Sequence, residues 1–290
     1  MIPLRTCIVL ILMFFISGIE AKETKTTFTI TSFNIKFYAY HEDERRDPYL
    51  QDFLKKSIPA SDLIVFEEIV NTSKIKNILP ANWECLSYEA PYEGHQHVVI
   101  CHSDRFKFVR EPSDDNDIID EVAGAKGSLR PAVTAIVTDK EGKALFRLVG
   151  VHLKASPEYS KTRLDQAAII ADYLKKVHSN LPVVIAGDFN TYFSPLNKET
   201  ENDKDLILKA FNQGQLNVKL LSNDLFTFRS SYGQGQFDHF FVSDSMKATK
   251  PVKIFEMCNA ESTTGEGLLN LAYYNEHISD HCPVSAEITL

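Results

Sequence analysis

Apolar, β-branched runs of strand length recur from one end of this chain to the other, and most of them finish beside a lone amide, acid or histidine. The runs are Phe28 to Phe37, Leu63 to Ile69, His97 to Cys101, Ala132 to Thr138, Leu145 to Leu153, Val183 to Phe189, Phe237 to Val242 and Val284 to Leu290. Segments of this length and composition read as strands. The polar residues at or near their ends are Asn34, Glu68, His152, Asp188 with Asn190, Asp238, and Asp280 with His281. Singly, each has an ordinary reading: a satisfied core amide, a rim charge, an edge histidine, a turn former. Together they mark a site built at the edge of a sheet. In Gly187-Asp188-Phe189-Asn190 the carboxylate and the amide are two residues apart, so they leave the strand on the same side.

Helical signals fall between some of these runs, which predicts an α/β chain. Asp47-Pro48 supplies an N-cap and a first-turn proline for a helix through Lys56, and Ser156-Pro157-Glu158 opens a longer one. In the longer helix Leu164, Ala168, Ala171 and Leu174 recur at spacings of three and four, a narrow face suited to a sheet. Gly233-Gln234-Gly235-Gln236 reads as a tight connection, and Ser113 to Gly127 as a polar loop whose Asp114, Asp115, Asp117, Asp120 and Glu121 are an oxygen-rich set suited to a structural Ca²⁺. A solvated acidic loop explains the same residues.

The chain has 290 residues, of which 44% are hydrophobic, so apolar matter is ample for a large core and a disordered chain is excluded. A formal charge of −8 argues against broad electrostatic capture of nucleic acid, though not against a site that takes phosphate through a metal. Arg5, the apolar run Ile8 to Ile16 and the small residue Ala21 predict a secretory signal over residues 1–21, leaving 22–290 as the mature chain. The expected location is secreted, or periplasmic in a bacterium. There Cys85, Cys101, Cys258 and Cys282 are free to form disulfides in any of three pairings.

The ordered motifs Ser32-Phe33-Asn34-Ile35, Phe66-Glu67-Glu68-Ile69, Arg130-Pro131, Gly150-Val151-His152-Leu153-Lys154, Gly187-Asp188-Phe189-Asn190, Phe237-Asp238-His239 and Ser279-Asp280-His281 resemble those of the endonuclease/exonuclease/phosphatase superfamily, in its deoxyribonuclease I-like branch. The resemblance spans nearly the whole chain after the signal. It implies a four-layered α/β sandwich, two packed mixed sheets flanked by helices. It also implies one domain, since the first and last motifs must meet.

Phosphodiester cleavage needs charge compensation on the phosphoryl oxygens, an activated water and help for the leaving oxygen. By resemblance, Asn34, Glu68 and Asp280 hold Mg²⁺, with Mn²⁺ as a substitute. Asp238 orients His281 as general base, Asp188 and Asn190 position water and phosphate, His152 serves the leaving-group side, and Arg130 contacts substrate. On a regular strand Glu67 and Glu68 face opposite ways. The family pattern selects Glu68 and leaves Glu67 as a bystander.

The leading expectation is a Mg²⁺-dependent endonuclease that hydrolyses DNA. Alternatives on the same fold are a phospholipid phosphodiesterase of the neutral sphingomyelinase type and an inositol-phosphate phosphatase. Deoxyribonuclease I places a minor-groove arginine two residues after its metal glutamate, and here that residue is Val70. A carboxylate to brace His152 is not evident near His97. An idle binding protein has no need of both histidines and all these acids.

Overall fold

The computed structural model describes residues 25–40, 44–58, 61–110, 117–124, 129–177, 180–192, 202–221, 224–231, 233–250, 252–259 and 266–290. Residues 1–21, where a signal is expected, and His41, His178, Asp114 and Asp115 therefore lie outside the described residues.

Each apolar run forms a strand: β1 (Thr27–Tyr38), β2 (Leu63–Ile69), β3 (His97–His102), β4 (Ala132–Thr138), β5 (Ala144–His152), β6 (Val183–Asp188), β7 (Asp238–Ser243) and β8 (Val284–Thr289). They sort into two mixed sheets, one in the order β8-β1-β2-β3 and the other β7-β6-β5-β4, each extended by short edge strands. The parallel pairs β1–β2 and β5–β6 are joined by helical crossovers, α1 (Asp47–Ser57) and α2 (Ser160–Lys176). Two further helices follow, α3 (Asp203–Gln213) and α4 (Glu266–His277). Among the described residues no helix is long and apolar enough to cross a membrane.

Strand periodicity sets the layers. Phe28 and Ile30 of β1, Leu63 and Val65 of β2, Leu148 of β5, Val184 and Ala186 of β6 and Phe240 and Val242 of β7 meet between the sheets. The alternate residues face outward: Phe33, Ile35, Ile64 and Phe66 pack with Leu50 and Leu54 of α1 and Tyr274 of α4. On the other flank Val149, Val151, Ile185 and Phe241 pack with α2 and α3. The result is helix, sheet, sheet, helix, the four-layered sandwich.

Three local expectations change. On α2 the buried face is Arg163, Gln166, Ala167, Ile170, Ala171 and Leu174, while Ala168 is exposed. Ala171 and Leu174 are buried and Leu164 packs against the core as the spacing predicts; Ala167 takes the place expected of Ala168, and two polar residues share the face because each reaches a backbone partner. Gly233–Gly235 is itself a strand, paired with Phe228–Ser230. Within the acidic stretch Ile118–Ile119 pairs with β4, and Asp120–Ala123 is a 3-10 helix. Asp117 is held by Arg110 at 2.8 Å.

The cysteines pair as Cys85–Cys101 and Cys258–Cys282. The first staples an edge strand to β3, and the second anchors the residue after His281.

Candidate active site

The inward-facing series of each strand continues past the last apolar residue into polar ones, and these are the site. On β1 the series Phe28, Ile30 runs on to Ser32 and Asn34; on β2 it runs from Leu63 and Val65 to Glu67. In the facing sheet His152, Asp188 and Asp238 stand in one row, because His152 is in register with Asp188 across β5–β6 and Asp188 with Asp238 across β6–β7. The close strand approach needs Gly187, at φ 144°, where a Cβ would lie 2.0 Å from the Val151 carbonyl oxygen.

Asp188 is the hub. Its Oδ2 accepts from Asn34 Nδ2 at 3.0 Å and lies 3.5 Å from His152 Nε2 and 3.8 Å from His281 Nε2. Its Oδ1 accepts from the Asn190 backbone N–H at 2.8 Å. His281 comes from the segment before β8, which Ser279 ties to the Asn34 carbonyl at 2.7 Å and Cys282 ties to the Thr227 carbonyl. Its Nδ1 contacts Asp238 Oδ2 at 3.0 Å. Thr227, which the sequence did not single out, accepts the backbone N–H groups of Phe237 and Asp238 and so fixes the start of β7.

The electrostatics follow from burial with few counter-charges. Burial pushes Asp188 up and Asp238 adds to this, while His281 pulls it back, leaving it at about 7. Burial alone would lower His281, but Asp238 and Asp188 outweigh it and lift it to about 10, so the proton resides on His281. Burial, Arg130 and His281 together hold His152 well below the usual histidine range, so it is neutral. No described side chain contacts its buried Nδ1, and the bracing carboxylate is absent among the described residues.

Glu68 reaches the cleft by a different route. Both neighbouring ladders are irregular at this point, shifting register between Asn34 and Tyr38 on β1 and between Phe66 and Ile69 on β2. Glu68 itself sits at φ 61°. That left-handed bulge turns its carboxylate to the same side as Glu67: Oε1 accepts from Asn34 Nδ2 at 3.1 Å and Oε2 from the Phe37 N–H at 3.2 Å. Strict alternation fails here. Glu67 is no bystander either: it is fully buried, accepts from Ser32 Oγ at 3.1 Å, and is pushed well above the carboxylate range by burial, Asp238 and Asp188.

The other candidates are placed as follows. Asn190 donates through Nδ2 to the Leu153 carbonyl at 3.2 Å, holding the chain beside His152. Arg130 donates to the same carbonyl at 3.0 Å; burial lowers its pKa, and the charges of Glu68 and Asp188 oppose this. Asp280 is turned to Lys36 Nζ at 3.1 Å. Among the described residues neither Glu68 nor Asp280 forms a three-membered His/Cys/Asp/Glu group, whereas Asp188, Asp238 and His281 do. Of the remaining histidines, buried His239 contacts Thr191 Oγ1 at 2.7 Å and is pushed down to about 3 by burial and Lys204.

The donor set suits a hard divalent cation. Asn34 holds the Glu68 and Asp188 carboxylates within reach of one amide, all three groups carry oxygen, and Glu68 is only half-buried. To ligate, Asn34 would present the oxygen that now accepts the Lys36 N–H.

A family model described as "Endonuclease/Exonuclease/phosphatase family" matches residues 31–281. The chain belongs to this family. Its members are metal-dependent phosphoester hydrolases, and the endonuclease/exonuclease/phosphatase assignment makes this chain a phosphoesterase. Solved structures of the same fold include a family member from Bacteroides thetaiotaomicron at 18% identity and TM-score 0.63, covering 92% of this chain and 98% of that one. TDP2 from D. rerio, complexed with a single-strand DNA product, shares 15% identity over 91% of this chain and 99% of that one, at TM-score 0.63. A mannosyl-6-phosphatase from Bacteroides thetaiotaomicron shares 17% identity over 91% of this chain and 100% of that one, at TM-score 0.62. No curated protein matches the chain.

Proposed function

We propose that the chain is a secreted, Mg²⁺-dependent phosphodiesterase that cleaves DNA internally. The observation that carries this reading is the convergence of Asn34, His152 and His281 on one carboxylate oxygen of Asp188. Asp188 titrates near neutrality and so suits removal of a proton from an attacking water. The two histidines stand slightly beyond hydrogen-bond length from it, leaving their Nε2 atoms available to a phosphoryl group. His281, charged and held by Asp238, stabilises the phosphoryl oxygens, which moves the base from His281, where the family pattern placed it, to Asp188. His152 is neutral and offers a second donor from β5. Glu68, with the side-chain oxygen of Asn34, would hold Mg²⁺, which when bound supplies charge compensation at the phosphate.

The DNA assignment is supported by the fold shared with TDP2, whose structure holds a single-strand DNA product. The two disulfides favour an oxidising location outside the cytoplasm. The test is a panel with purified protein and Mg²⁺: circular single-stranded DNA, supercoiled plasmid, RNA, sphingomyelin vesicles, and inositol and sugar phosphomonoesters. Opening of either circular DNA is expected. Turnover confined to sphingomyelin or to a monoester would sink the reading.

A further inference from the structure

Beside the catalytic cleft lies a groove of about 920 Å³, with Tyr40, Val70, Tyr88, Tyr92, Glu89 and Glu93 among the residues that line it. Its continuity with the site is direct. Val70 is two residues beyond Glu68, and Phe37, whose N–H is bonded to Glu68 Oε2, has its ring 6.1 Å from that of Tyr40 in the groove.

The groove displays exposed aromatic surface. Tyr92 is 52% exposed and Tyr40 42%; Phe37, whose ring lies 6.1 Å from that of Tyr40, is 49% exposed. The Phe37 ring is held out at a conformational cost. Lys36, Phe37 and Ala39 all adopt left-handed backbone, at φ 42°, 49° and 61°, and the Phe37 N–H is bonded to Glu68. Tyr88 is fixed at its hydroxyl by His95 and by the Gln96 carbonyl. A cluster of exposed rings at the rim of a reaction centre, one of them, Phe37, on left-handed backbone, marks a contact surface.

The charges decide what the groove takes. Its described lining includes Glu89 and Glu93 and no lysine or arginine, so a phosphate backbone is repelled from it. The available cations, Lys36 and Arg130, belong to the catalytic side. A planar, uncharged group attached to the phosphate meets no such repulsion and stacks on tyrosine faces. Val70 also leaves no cation to enter a duplex groove. We infer that the groove binds an unpaired base next to the scissile phosphate, which makes single-stranded nucleic acid the substrate. This rests on the proposed phosphodiesterase reading and adds the strand preference to it.

The test uses the full secreted chain with Mg²⁺ and four probes: a single-stranded oligonucleotide, the same sequence as a duplex, an abasic strand of equal length, and sphingomyelin vesicles. Tyr92→Ala and Tyr40→Ala should raise KM for the single strand roughly 5- to 150-fold, with kcat little changed. Tyr92→Phe, which keeps the ring, should restore KM. Cleavage of the abasic strand should be weak in the wild type and unaltered in the variants. An alanine variant that acts on the single strand as the wild type does, or a wild type that prefers duplex, overturns the inference. So does a tyrosine dependence seen only with sphingomyelin, which would give the aromatic and acidic groove to an ammonium headgroup. Should no DNA be cleaved, the DNA-cleaving reading fails on its own. The groove is then read by quenching of a 2-aminopurine base in the single strand: quenching lost in Tyr92→Ala and kept in Tyr92→Phe upholds base binding, and its absence in the wild type refutes it.

Discussion

Asn34 on one sheet and Asp188 on the other are joined by a 3.0 Å hydrogen bond, and the same amide nitrogen reaches Glu68 at 3.1 Å. One side chain therefore holds the cleft at its working width and brings the carboxylate suited to metal beside the carboxylate suited to water. Asn34→Ala should lower kcat by roughly 10²–10³, the usual cost of losing one preorganised donor. Because this bond also draws the Asp188 titration downward, its loss should move the acid limb of the rate profile to higher pH. A mutant with normal kcat would remove Asn34 from the mechanism.

Glu67 and Glu68 should separate by what each substitution damages. Glu68→Ala should abolish Mg²⁺-dependent turnover with the fold intact. Glu68→Gly should do the same while relieving the left-handed backbone at φ 61°, giving a more stable but inactive protein. Glu67→Ala leaves Ser32 without its buried partner and should destabilise by about 1–3 kcal/mol, read from urea midpoints. Glu67→Gln, an uncharged isostere in a position where burial disfavours charge, should be tolerated. A mild Glu67→Ala would restore its reading as a bystander.

Asn34, His152, Asp188 and Asp238 were legible in the sequence because each falls on the inward-facing parity of an apolar strand near its end, so one period of two carries both the core and the site. That same parity selects Glu67. Glu68 enters the cleft through a bulge, and a backbone turned to positive φ leaves no trace in hydrophobic spacing; only the family pattern pointed to it. Asp280 sits in the expected motif yet its carboxylate is turned to Lys36, a contact between distant segments that no local pattern encodes. The rings of Tyr40 and Tyr92 lie in loops, where exposed aromatics have no periodic signature. On α2, Arg163 and Gln166 fill buried positions as satisfied polar residues, Gln166 by bonding the Lys154 N–H and the Val122 carbonyl, and apolar counting, which found Leu164, Ala171 and Leu174, passed over these two.

The Cys258–Cys282 disulfide should matter to catalysis as well as to stability. It closes a separation of 24 residues, for which constraint of the unfolded chain is worth about 3 kcal/mol. Cys282 is next to His281, and the short bridge between Phe228 and His281 depends on the same segment. Replacing both cysteines by serine should lower the melting temperature and also reduce kcat at temperatures where the protein remains folded. Replacing Cys85 and Cys101, which staple an edge strand away from the site, should lower stability alone. Equal effects on kcat from the two pairs would show that anchoring of His281 is not the reason.

The proton positions make the sharpest prediction. If Asp188 is the base and His281 the charged donor, kcat/KM should rise as Asp188 ionises near 7 and fall as His281 loses its proton near 10. Asp238 raises both groups, the first by repulsion between like charges and the second by stabilising the imidazolium. Asp238→Asn should therefore move both limbs to lower pH, the alkaline limb most because it also loses the 3.0 Å contact to Nδ1. Its loss of rate should match that of His281→Ala, roughly 10²–10⁴, and the double mutant should be scarcely worse than either, since the two act as a unit. Were His281 the base instead, the rate would climb until about 10 with no alkaline fall there, and Asp238→Asn would shift the rising limb downward. The two profiles differ in the sign of their slope above pH 9, so one pH series on the wild type separates them.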